Sequence, residues 1–225
     1  MTATPVPAPL RVLAVFDLDG TVTRHDTFMP FVFRWLARHP GCWWRLLLLL
    51  PVLLEFAAGR ADRGDLKGQL LHVTLGGQPR TTIEQWTQIQ VDRLLRDGVF
   101  ATAMERIRWH RDAGHFLLLM SASVDCYVPE IGRRLGFDQT ICSTVRWNSD
   151  NSLDGRLSGA NCRGAEKVRQ LASLQQRAAF GDSWAYGNSR ADLAHMRLVT
   201  HGVYVNGSPA DLPPDAPHIR CERWR

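Results

Sequence analysis

The sequence predicts an α/β fold: a doubly wound parallel sheet with a block of helices inserted after its first strand. Three observations lead there. Residues 11–16, "RVLAVF", form an uninterrupted apolar, β-rich run, the pattern of a central parallel strand buried on both faces. From about residue 100 onward, strand-like and helix-like segments alternate, as a sheet with crossover helices requires. Between these parts, residues from about 28 to 110 carry helical spacing.

Each element follows in order. The first strand ends in "FDLDGT", two aspartates one residue apart followed at once by Gly20 and Thr21. Apolar residues then recur at Phe28, Phe31, Val32, Trp35 and Leu36, and later at Leu66, Leu70 and Leu71, with breaks expected at "HPGC", "AAGRADRGD" and "LGGQPR". A helix carrying Ile107 and Trp109 precedes a second strand, "HFLLLMSAS", at 115–123. Next come a helix near 125–135, a short strand in "QTICSTV", a hairpin-like stretch "WNSDNSLDGRLSG" and a helix from Ala165 to about Leu174. "SWAYGNS" reads as a strand, "ADLAHMRLV" as a helix and "HGVYVNG" as the last strand. The pattern divides the chain into an N-terminal tail at 1–10, a Rossmann-like core at 11–24 and 101–207, a helical cap at 25–100, and a C-terminal tail at 208–225.

Composition bounds the function. The chain has 225 residues, enough for one sizeable core, and its 45% apolar content is too high for a disordered chain. A formal charge of +5 permits phosphorylated partners or anionic lipid surfaces, but no dense basic run points to nucleic acid. The five cysteines, Cys42, Cys126, Cys142, Cys162 and Cys221, show neither CxxC pairs nor zinc spacing, so free thiols in a reducing cytoplasm are expected. The start, "MTATPVPAPLR", holds three prolines and no apolar core, unlike a signal peptide. "CWWRLLLLLPVLLEF" has nine consecutive apolar residues, Leu46 to Leu54, between Arg45 and Glu55. A spanning helix needs about 20 largely uncharged residues. This run does not span, although it can lie on a bilayer.

The chemistry gathers at strand ends. Asp17 and Asp19 follow the first strand, Ser121 follows "FLLLM", Asn188 and Asp192 follow "WAYG", and Lys167 opens the preceding helix. In such sheets the ligand crevice lies beyond the carboxyl ends of the strands. Carboxylate and amide oxygens together suit Mg²⁺, and a Ser hydroxyl with a Lys ammonium supplies donors for phosphate oxygens. Ser123 is a near-equal candidate to Ser121. Gly20 fits close approach of the backbone to phosphate, Thr21 serves the turn, and Asp125 caps a helix.

These segments resemble four motifs of one family. "FDLDGT", "LLLMSAS", "NCRGAEKVRQL" and "YGNSRADLAHM" look, in order, like those of the haloacid-dehalogenase-like superfamily of phosphohydrolases, over roughly Val12 to Asn206. The cap position and "DGRLSGANCRGAEK" are similar to subfamily IB, the branch containing phosphoserine phosphatase. The resemblance implies that Asp17 is a nucleophile forming an aspartyl-phosphate and Asp19 a general acid and base. It further implies that Gly20, Ser121 and Lys167 hold the phosphate, and that Mg²⁺ binds through the Asp17 carboxylate, the Asp19 backbone carbonyl and the fourth motif, where Asn188 and Asp192 stand. The family expects Gly-Asp-Ser-x-x-Asp there, and this chain has "GNSRAD". "GDS" occurs at Gly181–Ser183, but four residues beyond Asp182 lies Tyr186, so spacing favours Asn188 and Asp192 over Asp182.

The cap selects the substrate. "RHDTF…RLLLLLPVLLEF" also resembles, more loosely, the phosphatidylglycerophosphate phosphatases. Segment 24–72 carries seven Lys/Arg against four Asp/Glu, and tryptophans flank its leucine run, features that suit a bilayer interface. Phosphoserine phosphatases carry an acid nine residues after the nucleophile, where Asp26 stands, and a cap arginine where this chain offers Lys67 and Gln69. The expectation is a cytoplasmic, Mg²⁺-dependent phosphomonoester phosphatase acting on a lipid phosphate head group, with peripheral contact at the inner face of the membrane through its cap. Phosphoserine or another small metabolite is the alternative substrate. A non-catalytic phosphate-binding module is the alternative class, and transfer of the aspartyl-phosphate to an acceptor other than water is a third course.

Overall fold

The computed structural model describes residues 10–225. Six parallel strands form the main sheet in the order β3-β2-β1-β6-β7-β8. They are β1 (Arg11–Phe16), β2 (Phe116–Val124), β3 (Gln139–Ser143), β6 (Phe180–Gly187), β7 (His201–Val205) and β8 (Ile219–Glu222). β1 lies at the centre, pairing Phe16 with Leu119 on one side and with Tyr186 on the other. Its four inner residues, Leu13 to Phe16, are wholly buried, as a strand flanked on both faces must be.

The two-residue period of the strands sorts their side chains into two cores. Ala14, Phe16, Leu117, Leu119, Tyr186, Val203 and Val205 join one apolar cluster. Their alternates Leu13, Val15, Leu118, Met120, Ala185 and Tyr204 join the other. The first face is covered by α5 (Ala101–Asp112) and α6 (Val128–Leu135), through Ala103, Ile107, Val128 and Ile131. The second is covered by α7 (Ala165–Arg177) and α8 (Leu193–Met196), through Leu171, Leu174, Leu193 and Met196.

The cap is helical: α1 (Phe28–Arg38), a 3₁₀ stretch (Pro40–Leu49), α2 (Leu50–Ala57), α3 (Arg63–Leu75) and α4 (Arg80–Asp97). Its apolar side chains Phe28, Phe31, Trp35, Leu71, Ile83 and Trp86 extend the first core cluster. The chain leaves and rejoins the sheet side by side, with Arg24 N–H donating to the Gly98 carbonyl at 2.8 Å and Phe100 N–H to Val22 at 3.1 Å. The break expected at "HPGC" is instead the start of the 3₁₀ stretch, and Pro51 stands in the first turn of α2, where its missing N–H costs nothing.

Two assignments change. Residues 219–222, expected in a C-terminal tail, form edge strand β8, whose pairing with β7 runs from Gly202–Ile219 to Val205–Glu222. "IRCE" is too short and too weakly patterned to signal a strand alone; the open edge of β7 supplies its partner. Trp224 beyond it is buried. The hairpin β4 (Val145–Trp147) and β5 (Leu153–Leu157), assigned to the core, forms its own two-stranded sheet against cap helix α3. Gly68 allows this contact, since a Cβ there would stand 3.0 Å from the Leu157 nitrogen. The tail expected at 1–10 lies, apart from Leu10, outside the described residues.

Candidate active site

The loop after β1 turns about one atom. The Leu18 carbonyl accepts from the N–H groups of Thr21, Val22 and Thr23 at 3.2, 3.0 and 2.9 Å, and Leu18 itself is wholly buried. Gly20 makes the turn with φ +79°, a left-handed conformation natural to glycine. A Cβ on Gly20 would lie 2.1 Å from the Asn188 side-chain nitrogen, so glycine lets the loops after β1 and β6 meet. Asp17 continues the ladder, its N–H donating to the Tyr186 carbonyl at 2.9 Å.

The charged centre is a buried lysine between two aspartates. Lys167, in the first turn of α7, donates from Nζ to Asp17 Oδ1 at 2.6 Å and to Asp192 Oδ1 at 2.7 Å. Only 2% of Lys167 is exposed, which fixes the ammonium as the counter-charge of both acids. The other Asp192 oxygen accepts from Ser189, from N–H at 3.0 Å and from Oγ at 2.6 Å. Asp17 Oδ2 accepts from the Thr21 hydroxyl at 3.2 Å, and Asn188 Oδ1 stands 3.5 Å from the same hydroxyl.

Asp19 has a separate set of donors. Its Oδ1 accepts from Thr27, at 2.7 Å from both N–H and Oγ1, and its Oδ2 accepts from the Ser123 hydroxyl at 2.7 Å. The Thr27 hydroxyl is 3.0 Å from that of Tyr127, which aligns it from behind. Burial pushes the Asp19 carboxyl up, against the pull of Thr27 and Ser123. Burial likewise raises Asp17, aided by Asp192 and Asp19 and opposed by Lys167. For Asp192 burial also acts upward, but Lys167 and His195 outweigh it and hold the carboxyl below its ordinary range. Burial works against the Lys167 ammonium, and the two aspartates more than restore it.

These groups open into a cavity of about 740 Å³, lined by Asp17, Asp19, Gly20, Ser123, Lys167, Asn188 and Asp192 at one end. Cap residues line the other end: Met29, Leu49, Leu53, Leu66 and Leu70 form apolar wall, and Arg24, Arg63, Lys67 and Arg163 add positive charge. Lys67 donates to the Ala122 carbonyl and, at 3.3 Å, to Asn161 Oδ1. The volume suits a small organic ligand.

A divalent cation fits the donor set. Asp17 Oδ2 and Asn188 Oδ1 are hard oxygens brought to one hydroxyl. Where Asp17, Asp19 and Asp192 meet, the one ammonium in contact with the acids is Lys167, and the other basic side chains of the cavity are Arg24, Arg63, Lys67 and Arg163. Asp192 differs, because both its oxygens are engaged by Lys167 and Ser189.

Of the residues anticipated from sequence, Asp17, Asp19, Gly20, Lys167, Asn188 and Asp192 line this one cavity. Ser121 lies wholly buried beneath it, its Oγ accepting the Ser123 N–H at 3.0 Å, and Ser123 faces the cavity. Asp182 sits near the start of β6, paired with His201 at 3.0 Å, at the end of the sheet away from the cavity. It is no alternative to Asn188. Asp26 and Lys67 line the cavity, whereas Gln69 faces a different hollow. Asp125 accepts from Val145 N–H at 3.0 Å and so holds the start of the hairpin rather than capping α6. Thr27, Tyr127, Ser189 and Asn161 are additions, and Thr21 touches Asp17 as well as serving the turn. Single hydroxyls and amides carry no spacing signal, so only folding reveals them.

Comparison with known proteins follows the same outline. The family described as haloacid dehalogenase-like hydrolase matches residues 14–197. The Caulobacter vibrioides protein CicA is 30% identical over 205 residues, covering 88% of this chain and 89% of that one. The Mycobacterium tuberculosis protein named phosphoserine phosphatase SerB1 is 26% identical, over 89% of this chain and 66% of its own length. A Bordetella pertussis protein of unknown function has a crystal structure that superposes with a TM-score of 0.75. It covers 89% of this chain and 92% of that one at 22% identity, a likeness of fold.

Proposed function

Because the chain belongs to the haloacid dehalogenase-like hydrolases, we propose that it is a phosphomonoester phosphatase working through an aspartyl-phosphate. The observation that carries the reading is the buried Asp17–Lys167–Asp192 bridge beside Asp19, assembled from three separate strand and helix ends. An isolated carboxylate cluster has no structural reason to be gathered there; a site handling a phosphoryl group has one.

The roles follow from position. Asp17 attacks phosphorus in line, and the bond to the leaving oxygen breaks as the Asp17 acyl phosphate forms. Asp19, whose carboxyl burial pushes upward, is the group placed to give the leaving alkoxide its proton. Left as carboxylate, it then takes a proton from the water that hydrolyses the acyl phosphate. Thr27 and Ser123 aim Asp19 through both its oxygens. Lys167 holds Asp17 in place and offers positive charge to the phosphoryl oxygens. Mg²⁺, when bound, supplies further compensation for the charge on the transferring group. Asp17, Asn188 and the backbone of Asp19 would hold it, with Asp192 acting through Lys167.

For the substrate, the apolar wall of Met29, Leu49, Leu53, Leu66 and Leu70 favours an amphiphile, such as a lipid carrying a terminal phosphate. A small polar metabolite such as phosphoserine is the second reading, favoured by Arg63, Lys67, Arg163 and Asp26 around the same cavity, where a carboxylate and an amine can be read. Hydrolysis of a chromogenic aryl phosphate tests the reaction. Mg²⁺-dependent release that Asp17→Asn abolishes is expected. A purified, folded protein that releases phosphate from neither aryl nor lipid esters would be a binding module instead.

A further inference from the structure

Pro40–Ala57 forms a continuous helical rod, roughly 30 Å long from its 3₁₀ and α segments, with a mean hydropathy of 1.4 and no buried residue. Among the described residues it is the one helix long and apolar enough, by length and composition, to cross a membrane. Ten of the fourteen large exposed hydrophobic side chains lie between Met29 and Phe56. Their arrangement has two sides. Cys42 and Leu46 pack on the core, and Leu49 and Leu53 line the catalytic cavity. Trp43, Leu47, Leu50 and Leu54 point outward, exposed by 52, 66, 56 and 70%.

We infer that this rod is a docking surface for an anionic lipid bilayer, lying in the interface plane with its outer stripe in the acyl boundary. Its charge selects that occupant. The rod itself carries only Arg45 and Glu55, and the segment around it, 24–72, is basic, with seven Lys/Arg against four Asp/Glu. A second copy of the chain, joined about a two-fold axis, would bring these like charges together; anionic head groups pair with them. The tryptophans Trp43 and Trp44 stand at the start of the leucine run, where amphipathic rings sit at the water boundary. Flat docking, not crossing, is set by the contacts of the rod with α1 and α3 and by Arg45 within it. The same rod supplies Leu49 and Leu53 to the cavity, so a docked cap holds the cavity wall next to the membrane. Delivery of a lipid phosphate along that wall rests on the phosphatase reading; the docking itself does not.

Sedimentation of the whole protein with vesicles tests the inference, comparing pure phosphatidylcholine with phosphatidylcholine containing phosphatidylglycerol. Binding to the anionic vesicles, with a blue shift of tryptophan emission, and much weaker binding to the neutral ones is expected. The triple variant Leu47→Ser, Leu50→Ser, Leu54→Ser removes exposed side chains only, and should lose partitioning by roughly 100-fold while hydrolysing a soluble aryl phosphate unchanged. Failure of that soluble assay in the parent protein counts against the phosphatase reading and leaves docking judged by sedimentation alone. Absence of sedimentation with either vesicle, equal binding to both, or undiminished binding of the triple variant overturns the inference. So does a concentration-dependent dimer that the triple variant abolishes while vesicles go unbound.

Discussion

Replacing Lys167 with methionine removes the ammonium and keeps most of the volume. Asp17 and Asp192 are 7% and 3% exposed, and each loses a charge-assisted bond, of 2.6 and 2.7 Å. Breaking a buried ion pair from one side costs about 3–5 kcal/mol, because the abandoned charge has neither partner nor water. Domains of this kind are stable by about 5–15 kcal/mol, so the variant should fold yet be visibly weakened. For a chain of this length the loss corresponds to roughly 6–20 °C in Tm. The sign of the pH dependence follows. Without Lys167, Asp17, already raised by burial, is raised further, and Asp192, which the ammonium holds down, rises above the unfolded value of about 3.9. Raised acids destabilise the fold above their folded pKa, and the penalty fades as pH falls and they take up protons. Urea unfolding of parent and variant, in EDTA, should therefore show a difference that is largest near pH 7–8 and shrinks toward pH 4. A loss under about 1 kcal/mol at neutral pH, or one that does not change with pH, would refute the bridge as a buried charge-compensating unit.

Other outcomes follow from single contacts. Asn188→Asp adds a charged oxygen beside Asp17, and the Mg²⁺ concentration giving half-maximal turnover should fall by about tenfold; an unchanged value removes Asn188 from the metal set. Gly20→Ala forces a Cβ within 2.1 Å of the Asn188 side chain at φ +79°, so kcat should fall at least ~100-fold with circular dichroism unaltered. His110 is wholly buried against Tyr186 and His115, at 2.9 and 2.7 Å, and burial pushes its pKa down from 6.5 to about 3. The unfolded chain therefore binds a proton that the folded one refuses. Stability carried by neutral His110 is complete above about pH 6.5 and drains away as pH falls toward 3. His110→Gln should flatten that acid limb in thermal unfolding measured from pH 7 to 4.

Much of the site was legible because the chemistry sits in short, ordered segments. Asp17, Asp19 and Gly20 follow directly on an unmistakable strand, and their spacing survives without any tertiary information. Lys167 was legible only beside its neighbours, since an isolated lysine in a first helical turn is usually solvated. The preference between Ser121 and Ser123 illustrates the limit. Both follow the same apolar run, and alternation puts them on the same side of the strand, so spacing alone does not separate a hydroxyl beneath the floor from one facing the cavity. Strand β8 escaped notice for a related reason: four residues acquire strand character from an available edge, not from their own pattern.

Local order determined the alternation of strand and helix, the buried centre of the sheet, the place of the cap, and the acidic pair at the first strand end. These are written in the spacing of apolar residues and in turn chemistry, which act over a few positions. Only the tertiary structure decided that Asp192 holds Lys167 instead of standing free, that Thr27 and Ser123 grip Asp19, that Asp182 belongs to the far end of the sheet, and that the leucine stripe faces outward beside the cavity. The hydrogen bonds among them join residues up to 104 positions apart, and a chain acquires them only when separate elements are packed against each other.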